Sequence, residues 1–354
     1  MIILAQQTKR DVLNGFEMSS AAPRAPNAAS ASTDSAAVEL LTRVASMYYL
    51  GDMTQETIAA SLGLSRPKVG RLLTQAREAG IVEISVNLHP SLAVPVETEM
   101  TARFGLARTI LIVDQGDEDN IRAQAGRAAV DLLDRSMRDG TIVTIGMGRN
   151  ARAVGVAAGI AAEGLSSRKA TIISAMGGAA LIGEGLNSND IASRLGQGFG
   201  SSAQGIYAPA YAASEEIRDA YLSSEDVRDT IERARTADIA IVGIGDANND
   251  SLVVKLGLIA VAEMGRMRAD GAVGDILGSF FNRDGAPIAS WIEDRVVGLT
   301  GARDLRKIPT VIAVAPEPSK AEAILGALNS GIVHTLITSL SAARRVIELA
   351  GTAT

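Results

Sequence analysis

Seven apolar, β-rich runs follow one another from Thr109 onward: "TILIV", "TIVTIG", "ATIISAM", "ADIAIVGIG", "AVGDILGSF", "TVIAVA" and "HTLIT", each parted from the next by a stretch with helical spacing. A strand that reads as a nearly continuous apolar run must be covered on both faces, and the helices between the strands supply that cover. Residues 107–354 are therefore expected to form a doubly wound α/β domain around a parallel sheet.

Glycine clusters at the carboxyl ends of several of these runs: "IGMGRN" at Ile145 to Asn150, "MGG" at Met176 to Gly178, "GIGD" at Gly243 to Asp246, and Gly274 with Asp275. Small ligands of open α/β sheets bind outside the strand ends, where glycine lets backbone N–H groups approach an anion at a helix start. Singly each cluster reads as a tight turn; together they point to one cleft. "GMGRN" lacks the third glycine and the acidic ribose anchor of a dinucleotide site, and no Walker loop is present. It suits a compact anion, with Arg149 as a charged donor or else a plain surface residue. Asp246 and Asp275 are candidate acceptors for sugar hydroxyls or else turn residues, and Lys320 points to the same sheet edge unless it is simply solvated.

The first hundred residues read differently. The Ala-, Ser- and Pro-rich residues 1–36 have little to bury and are expected to be a disordered tail, with Met18 as an alternative start. Val38, Leu41, Val44, Ala45 and Tyr48 then recur at helical spacing. Thr54 is placed to cap a second helix that Gly63 closes, and Ser65 to cap a third, with Pro67 in its first turn and Val69, Leu72, Leu73 and Ala76 inward. "IVEISVNL" alternates like a strand or wing. These elements make residues 37–88 one domain, and the two prolines of "HPSLAVPVETEM" suggest a hinge and linker helix over 89–106.

Two short helices around a tight turn, the second one basic, have the shape of a helix-turn-helix whose second helix enters the major groove. Ser65, Arg66, Lys68 and Arg71 fall on its exposed side, and Thr54 and Gln55 offer a helix N-terminus to a phosphate. The competing reading is a solvated basic face on an ordinary bundle. The chain carries a formal net charge of -6, so its partner would be double-stranded DNA met through this local patch rather than polyanions in general.

Cysteine is absent, which excludes disulfides and thiolate chemistry and fits a cytoplasmic protein. No apolar run approaches the length of a bilayer span, so no membrane partner is expected. His89 falls in the hinge and His334 begins a strand; no catalytic triad, carboxylate pair or metal-ligand cluster stands out. No catalytic residue, metal or cofactor is expected. The enzyme alternative is an isomerase of sugar phosphates carrying a DNA-binding domain, and a nucleotide-binding regulator is a third reading.

"TQETIAASLGLSRPKVGRLLTQAREAGIVEI", "IGMGRN", "NDIASRLGQGFGSSAQGIYAPA", "ADIAIVGIGD", "GAVGDILGSFFNRDGAPI" and "IPTVIAVAPEPSKAEAILGALNSG" together resemble the SorC family of sugar-responsive bacterial transcription regulators. The resemblance covers nearly everything after Ser35. It implies a winged helix-turn-helix joined to an effector domain similar to sugar phosphate isomerases, which binds a sugar, polyol or sugar phosphate without acting on it, in a homo-oligomer, typically a tetramer. The effector set it implies is Gly146, Met147, Gly148, Arg149, Gly177, Gly178, Pro209, Gly245, Asp246, Asp275 and Lys320.

This sequence departs from the family pattern in places. Pro316 and Glu317 stand where two glycines usually precede the lysine, Asn282 replaces an Asp, Ser339 and Leu340 replace an Asp-Glu pair, and Gly70 replaces a Ser. A glutamate facing a phosphate would repel it, so Glu317 leads to the expectation of an effector less charged than the family norm.

Overall fold

The computed structural model describes residues 28–82, 90–114, 116–178 and 185–351. The chain divides into two compact units, residues 1–85 and 86–354.

The first unit is built on three helices, α1 (Ala28–Tyr49), α2 (Gln55–Leu62) and α3 (Arg66–Glu78). Helix α1 begins inside the stretch expected to be tail. A run of Ala and Ser has helical propensity but no apolar stripe, so nothing in its periodicity marks the helix start. The Thr54 side chain accepts from the Thr57 N–H at 3.2 Å and starts α2; Gly63, at φ 65°, ends it in the left-handed region. Val44, Ile58, Ala59, Val69, Leu72 and Leu73 interlock as the core. Ser65 precedes α3 with an extended backbone but makes no capping bond with its hydroxyl. The alternating stretch read as a wing lies mostly outside the described residues, as does His89.

The second unit opens with α4 (Pro90–Phe104), in the segment expected to be a hinge and linker helix. It packs as part of this unit: Met100 is fully buried in its core, and the Glu97 carboxylate accepts from the Leu111 N–H at 3.1 Å. Pro95 inside the helix removes one helical donor, and this packing offsets the loss.

There follow β1 (Arg108–Ile112), α5 (Glu118–Ser136), β2 (Ile142–Ile145), α6 (Arg149–Ala161), β3 (Thr171–Ser174), α7 (Ser188–Gly198), β4 (Ser202–Gln204), α8 (Glu215–Leu222), α9 (Glu225–Arg235) and β5 (Ile239–Gly243). Then come β6 (Gly245–Asp246), α10 (Leu252–Lys255), α11 (Val261–Ala269), β7 (Ala272–Ile276), β8 (Ser279–Asn282), β9 (Thr310–Val314), α12 (Ala321–Asn329), β10 (Thr335–Ser339) and α13 (Leu340–Gly351).

Seven strands form one parallel sheet in the order β1-β10-β9-β5-β2-β3-β4. Side chains alternate between faces, as they must on a strand. Ile239 and Ile241 of β5 join Ile312 and Val314 of β9 in a core with α5, α6 and α7, while Ala240, Val242, Val311 and Ala313 join the core on the other face, with α9, α12 and α13. Helices α5 and α6 approach closely because Gly126 has no side chain: a Cβ there would lie 2.4 Å from the Ala153 carbonyl oxygen.

One apolar run goes elsewhere. "AVGDILGSF" does not add to the parallel sheet but folds into β7 and β8 of a separate antiparallel sheet, β6-β7-β8. Its two-residue turn is Leu277–Gly278, both at positive φ (50° and 78°), the combination that tight hairpins require.

The sheet order places the site. From β2 the chain moves outward through β3 to β4, whereas from β5 it moves the opposite way through β9 to β10. The loops leaving β2 and β5 therefore diverge and leave a crevice at the switch point.

Candidate functional site

That crevice is occupied by a cleft, open to solvent at its mouth. Its walls come from the turn after β2 (Met147, Gly148, Arg149, Asn150), the turn after β5 (Gly243 to Asp246), Asp275 on β7, Leu277 in the hairpin turn, and Lys320 beyond β9. Seven of the eleven effector residues expected from sequence meet there: Met147, Gly148, Arg149, Gly245, Asp246, Asp275 and Lys320.

Gly146, Gly177, Gly178 and Pro209 do not line it. The N–H groups of Gly146, Gly177 and Gly178 are bonded to the carbonyls of Ile241, Val297 and Ala208, so these glycines serve backbone packing. A Cβ on Gly177 would sit 2.3 Å from the Ala208 oxygen, and Gly178 pairs with Pro209 in a β-bridge. Gly148 is different: it sits at φ 104° as the N-cap of α6, whose first N–H groups have no helical acceptor and face the turn.

Two carboxylates stand on one wall. Gly245 pairs with Asp275 and Asp246 with Gly274 across β6 and β7. Asp275 accepts from the Gly278 N–H at 3.0 Å, and Asp246 from the Asn248 amide. Burial is the main reason the Asp275 carboxyl is pushed up to about 6; Asp246 adds to the rise while the Gly278 N–H and Lys320 oppose it. Tyr211 lines the cleft too, and burial together with the Asp275 charge keeps its phenol protonated. Near neutrality this wall therefore offers acceptors, a phenolic donor and a carboxyl poised to hold or release a proton.

Glu317 is not where the sequence suggested. It is 2% exposed and does not line the cleft; its Oε1 accepts from Arg122 Nε at 2.9 Å, its Oε2 from Asn150 Nδ2 at 3.1 Å, and Lys320 Nζ lies 3.4 Å away. Burial alone would raise this carboxyl, but the Lys320 ammonium and the bonds from Asn150 and Arg122 hold it below its ordinary value. The expected direct repulsion of a ligand by Glu317 is thus replaced by an internal ion pair. Lys320 also donates to the Ile244 carbonyl at 3.1 Å, so its ammonium is engaged by that hydrogen bond and by the ion pair with Glu317.

Asn150, Tyr211 and Leu277 line the cleft without having been singled out in the sequence. Asn150 ends the motif "IGMGRN" and Leu277 lies within "AVGDILGSF", the signals available in the sequence. Tyr211 and Leu277 reach the site only through the loop after β4 and the hairpin turn, which no periodicity encodes. His334 is structural: its Nδ1 accepts from the Val311 N–H at 2.9 Å. Among the described residues no group of three His, Asp or Glu side chains is arranged to hold a metal.

The model of the Sugar-bind family, a sugar-binding domain, matches residues 89–348. The chain belongs to this family. The transcriptional regulator LsrR of Enterobacter sp. strain 638 is 31% identical over 317 residues, covering 88% of this chain and 94% of LsrR. The erythritol catabolism regulatory protein EryD of Brucella abortus is 27% identical over 310 residues, 87% of this chain and 96% of EryD. Among solved structures, the sugar-binding domain of a transcriptional repressor from Vibrio fischeri superimposes with a TM-score of 0.67 at 35% identity, over 73% of this chain and all of that one. Full-length SorC, the sorbitol operon regulator of Klebsiella pneumoniae, does so with 0.64 at 25%, over 88% of this chain and 99% of SorC. This Sugar-bind protein is a transcriptional regulator and not an enzyme, and its resemblance to SorC holds over both units.

In the first unit, Ser65, Arg66, Lys68 and Arg71 are all exposed at or on α3 while Val69, Leu72 and Leu73 are buried. Thr54 is exposed and Gln55 half-buried at the start of α2. Arg66 lies 3.8 Å from Glu56, both largely exposed, a contact worth little in water. No described helix is long and apolar enough to cross a membrane.

Proposed function

We propose that this Sugar-bind regulator binds operator DNA through α3 and that a small sugar, polyol or sugar phosphate in the cleft at the β2/β5 switch point sets its operator affinity. The observation that carries this reading is the convergence of Arg149, Asp246, Asp275 and Lys320, from four separate segments, on one cleft. Carboxylates, an amide and cations lining one cleft suit a ligand rich in hydroxyls. The names of its relatives, regulators of erythritol catabolism and of a sorbitol operon, support an effector of this class.

On α3, Arg66, Lys68 and Arg71 would meet bases and phosphates, with Ser65 beside them and Thr54 and Gln55 on a neighbouring phosphate. One recognition helix reads too few base pairs for useful specificity. Paired half-sites call for a symmetric homo-oligomer of even number, which the resemblance to the SorC family makes a tetramer, working in the cytoplasm. Footprinting of the DNA upstream of its own gene tests this. Protection of two half-sites separated by whole helical turns, modulated by candidate sugars, is expected, and uniform or absent protection refutes it.

A further inference from the structure

The amide of Asn150 is committed on one side only. Asn150 lines the cleft at the start of α6 and is 4% exposed; its Nδ2 donates to Glu317 Oε2 at 3.1 Å, while its Oδ1 is buried without a hydrogen-bond partner. A buried acceptor left unpaired is costly, and one on a residue that lines a ligand cleft marks where a donor is missing.

The amide cannot simply turn round. Ionised Glu317 can only accept, so the NH2 end must face it, and Glu317 is held in place by Arg122 from α5, itself 7% exposed and bonded through its other nitrogens to Glu118 and Asp119. Reversal would set Oδ1 against a buried carboxylate. The Arg122–Glu317 pair thus decides which end of Asn150 remains for a ligand.

We propose that Asn150 is a specificity-determining residue of the effector site, held by the buried Arg122–Glu317 pair so as to present an acceptor, and that the ligand group it meets is a free hydroxyl of an unphosphorylated polyol or sugar. This rests on the effector-site reading given above. A phosphate monoester carries about -1.5 to -2 charges near neutrality and has little to donate. Placed at the α6 N-terminus beside Asn150, the phosphate group itself would leave Oδ1 unpaired and would share the cleft with Asp246 and Asp275, with Lys320 already engaged by Glu317 and Ile244, so that among the described residues Arg149 is the one lining cation outside this network. A hydroxyl both donates to Oδ1 and accepts from the α6 N–H groups.

Calorimetry on the full chain tests this with erythritol, ribitol and sorbitol, each against its terminal monophosphate, and with inorganic phosphate. At least one polyol is expected to bind roughly tenfold or more tightly than its monophosphate. Asn150→Ala should reduce polyol affinity about tenfold while leaving the monophosphate nearly unchanged. Glu317→Gln, whose amide can donate to Oδ1 and let Asn150 turn, should shift the polyol-to-phosphate ratio toward phosphate by a similar factor. The ratio is the informative readout, since a purely structural defect would weaken both ligands together. If Glu317→Gln does not fold, Asn150→Ala, which leaves the Arg122–Glu317 pair intact, decides the matter alone. A monophosphate bound as tightly as its polyol by the parent, or a ratio unmoved in Asn150→Ala, overturns the proposal and leaves the sugar-binding reading standing. Failure of every polyol and every monophosphate to bind overturns both.

Discussion

Arg122 and Glu317 stand 195 residues apart in sequence and meet in the interior, Nε to Oε1 at 2.9 Å, one on the helix after β1 and the other just beyond β9. Two charges removed from water are tolerable together and expensive apart, because the partner left behind keeps its desolvation cost.

Arg122→Met is expected to destabilise the α/β unit by about 3 kcal/mol or more, since Glu317 then keeps only Lys320 and Asn150. Arg122→Met with Glu317→Met should recover most of that loss. Urea titration of the four proteins of this cycle measures the coupling. Additive single effects would show that the two residues do not act as a pair. Because Glu317 is held below its ordinary value, its contribution is present above the usual carboxylate range and is lost as pH falls.

Asp275 has the opposite sign. Its carboxyl rises from 3.8 to about 6, mainly through burial, so the folded protein holds a proton that the unfolded chain has released. Nothing is lost below the lower value, and the full penalty, about 3 kcal/mol at most, applies above the upper one. Asp275→Asn should therefore raise the melting temperature clearly at about pH 8 and little at about pH 4. An equal shift at both would place the origin of the effect outside this titration.

A Cβ on Gly245 would lie 2.0 Å from Asp275 Oδ1, so the two must share one small space. Gly245→Ala is expected to cost about 1–3 kcal/mol and to weaken effector binding. Adding Asp275→Ala should relieve the stability cost by removing the carboxylate. Gly159→Ala on α6, where nothing lies within 4 Å, serves as the control and should stabilise by up to about 1 kcal/mol. Gly245→Ala at parental stability would contradict the contact.

Replacing Arg66, Lys68 and Arg71 singly by Ala should separate two kinds of interaction with the operator. Removing a phosphate-binding side chain lowers affinity at all sequences and reduces the salt slope by about one, whereas removing a base reader costs about 1–3 kcal/mol at one position of the site. An unchanged footprint in the triple variant would remove α3 from the interface.

Much of the fold and of the cleft is legible in the order of the residues. The apolar runs mark the layers of the sheet because burial on both faces leaves no polar alternation, and the glycine turns after β2 and β5 locate the cleft because they lie at strand ends. What escapes is tertiary in origin. Glu317 reads in sequence as an intruder among phosphate donors, and only its meeting with Arg122 shows it paired internally and outside the lining of the cleft. "AVGDILGSF" has the composition of a buried strand, yet Leu277 at φ 50° folds it back into a hairpin. Two prolines suggest a hinge and linker helix over 89–106; α4 is the helix, and the burial of Met100, which no proline foretells, packs it into the α/β unit.

A ligand site and a DNA site that are thermodynamically linked act on each other reciprocally, so the linkage is measurable from either side. Operator affinity of the full chain, followed by fluorescence anisotropy with and without a saturating polyol that calorimetry shows to bind, is the most direct test. A change of roughly 5- to 150-fold is expected, abolished in Asp275→Ala and accompanied by an equal change of polyol affinity when operator is present. Tight polyol binding that leaves operator affinity unaltered would contradict the account.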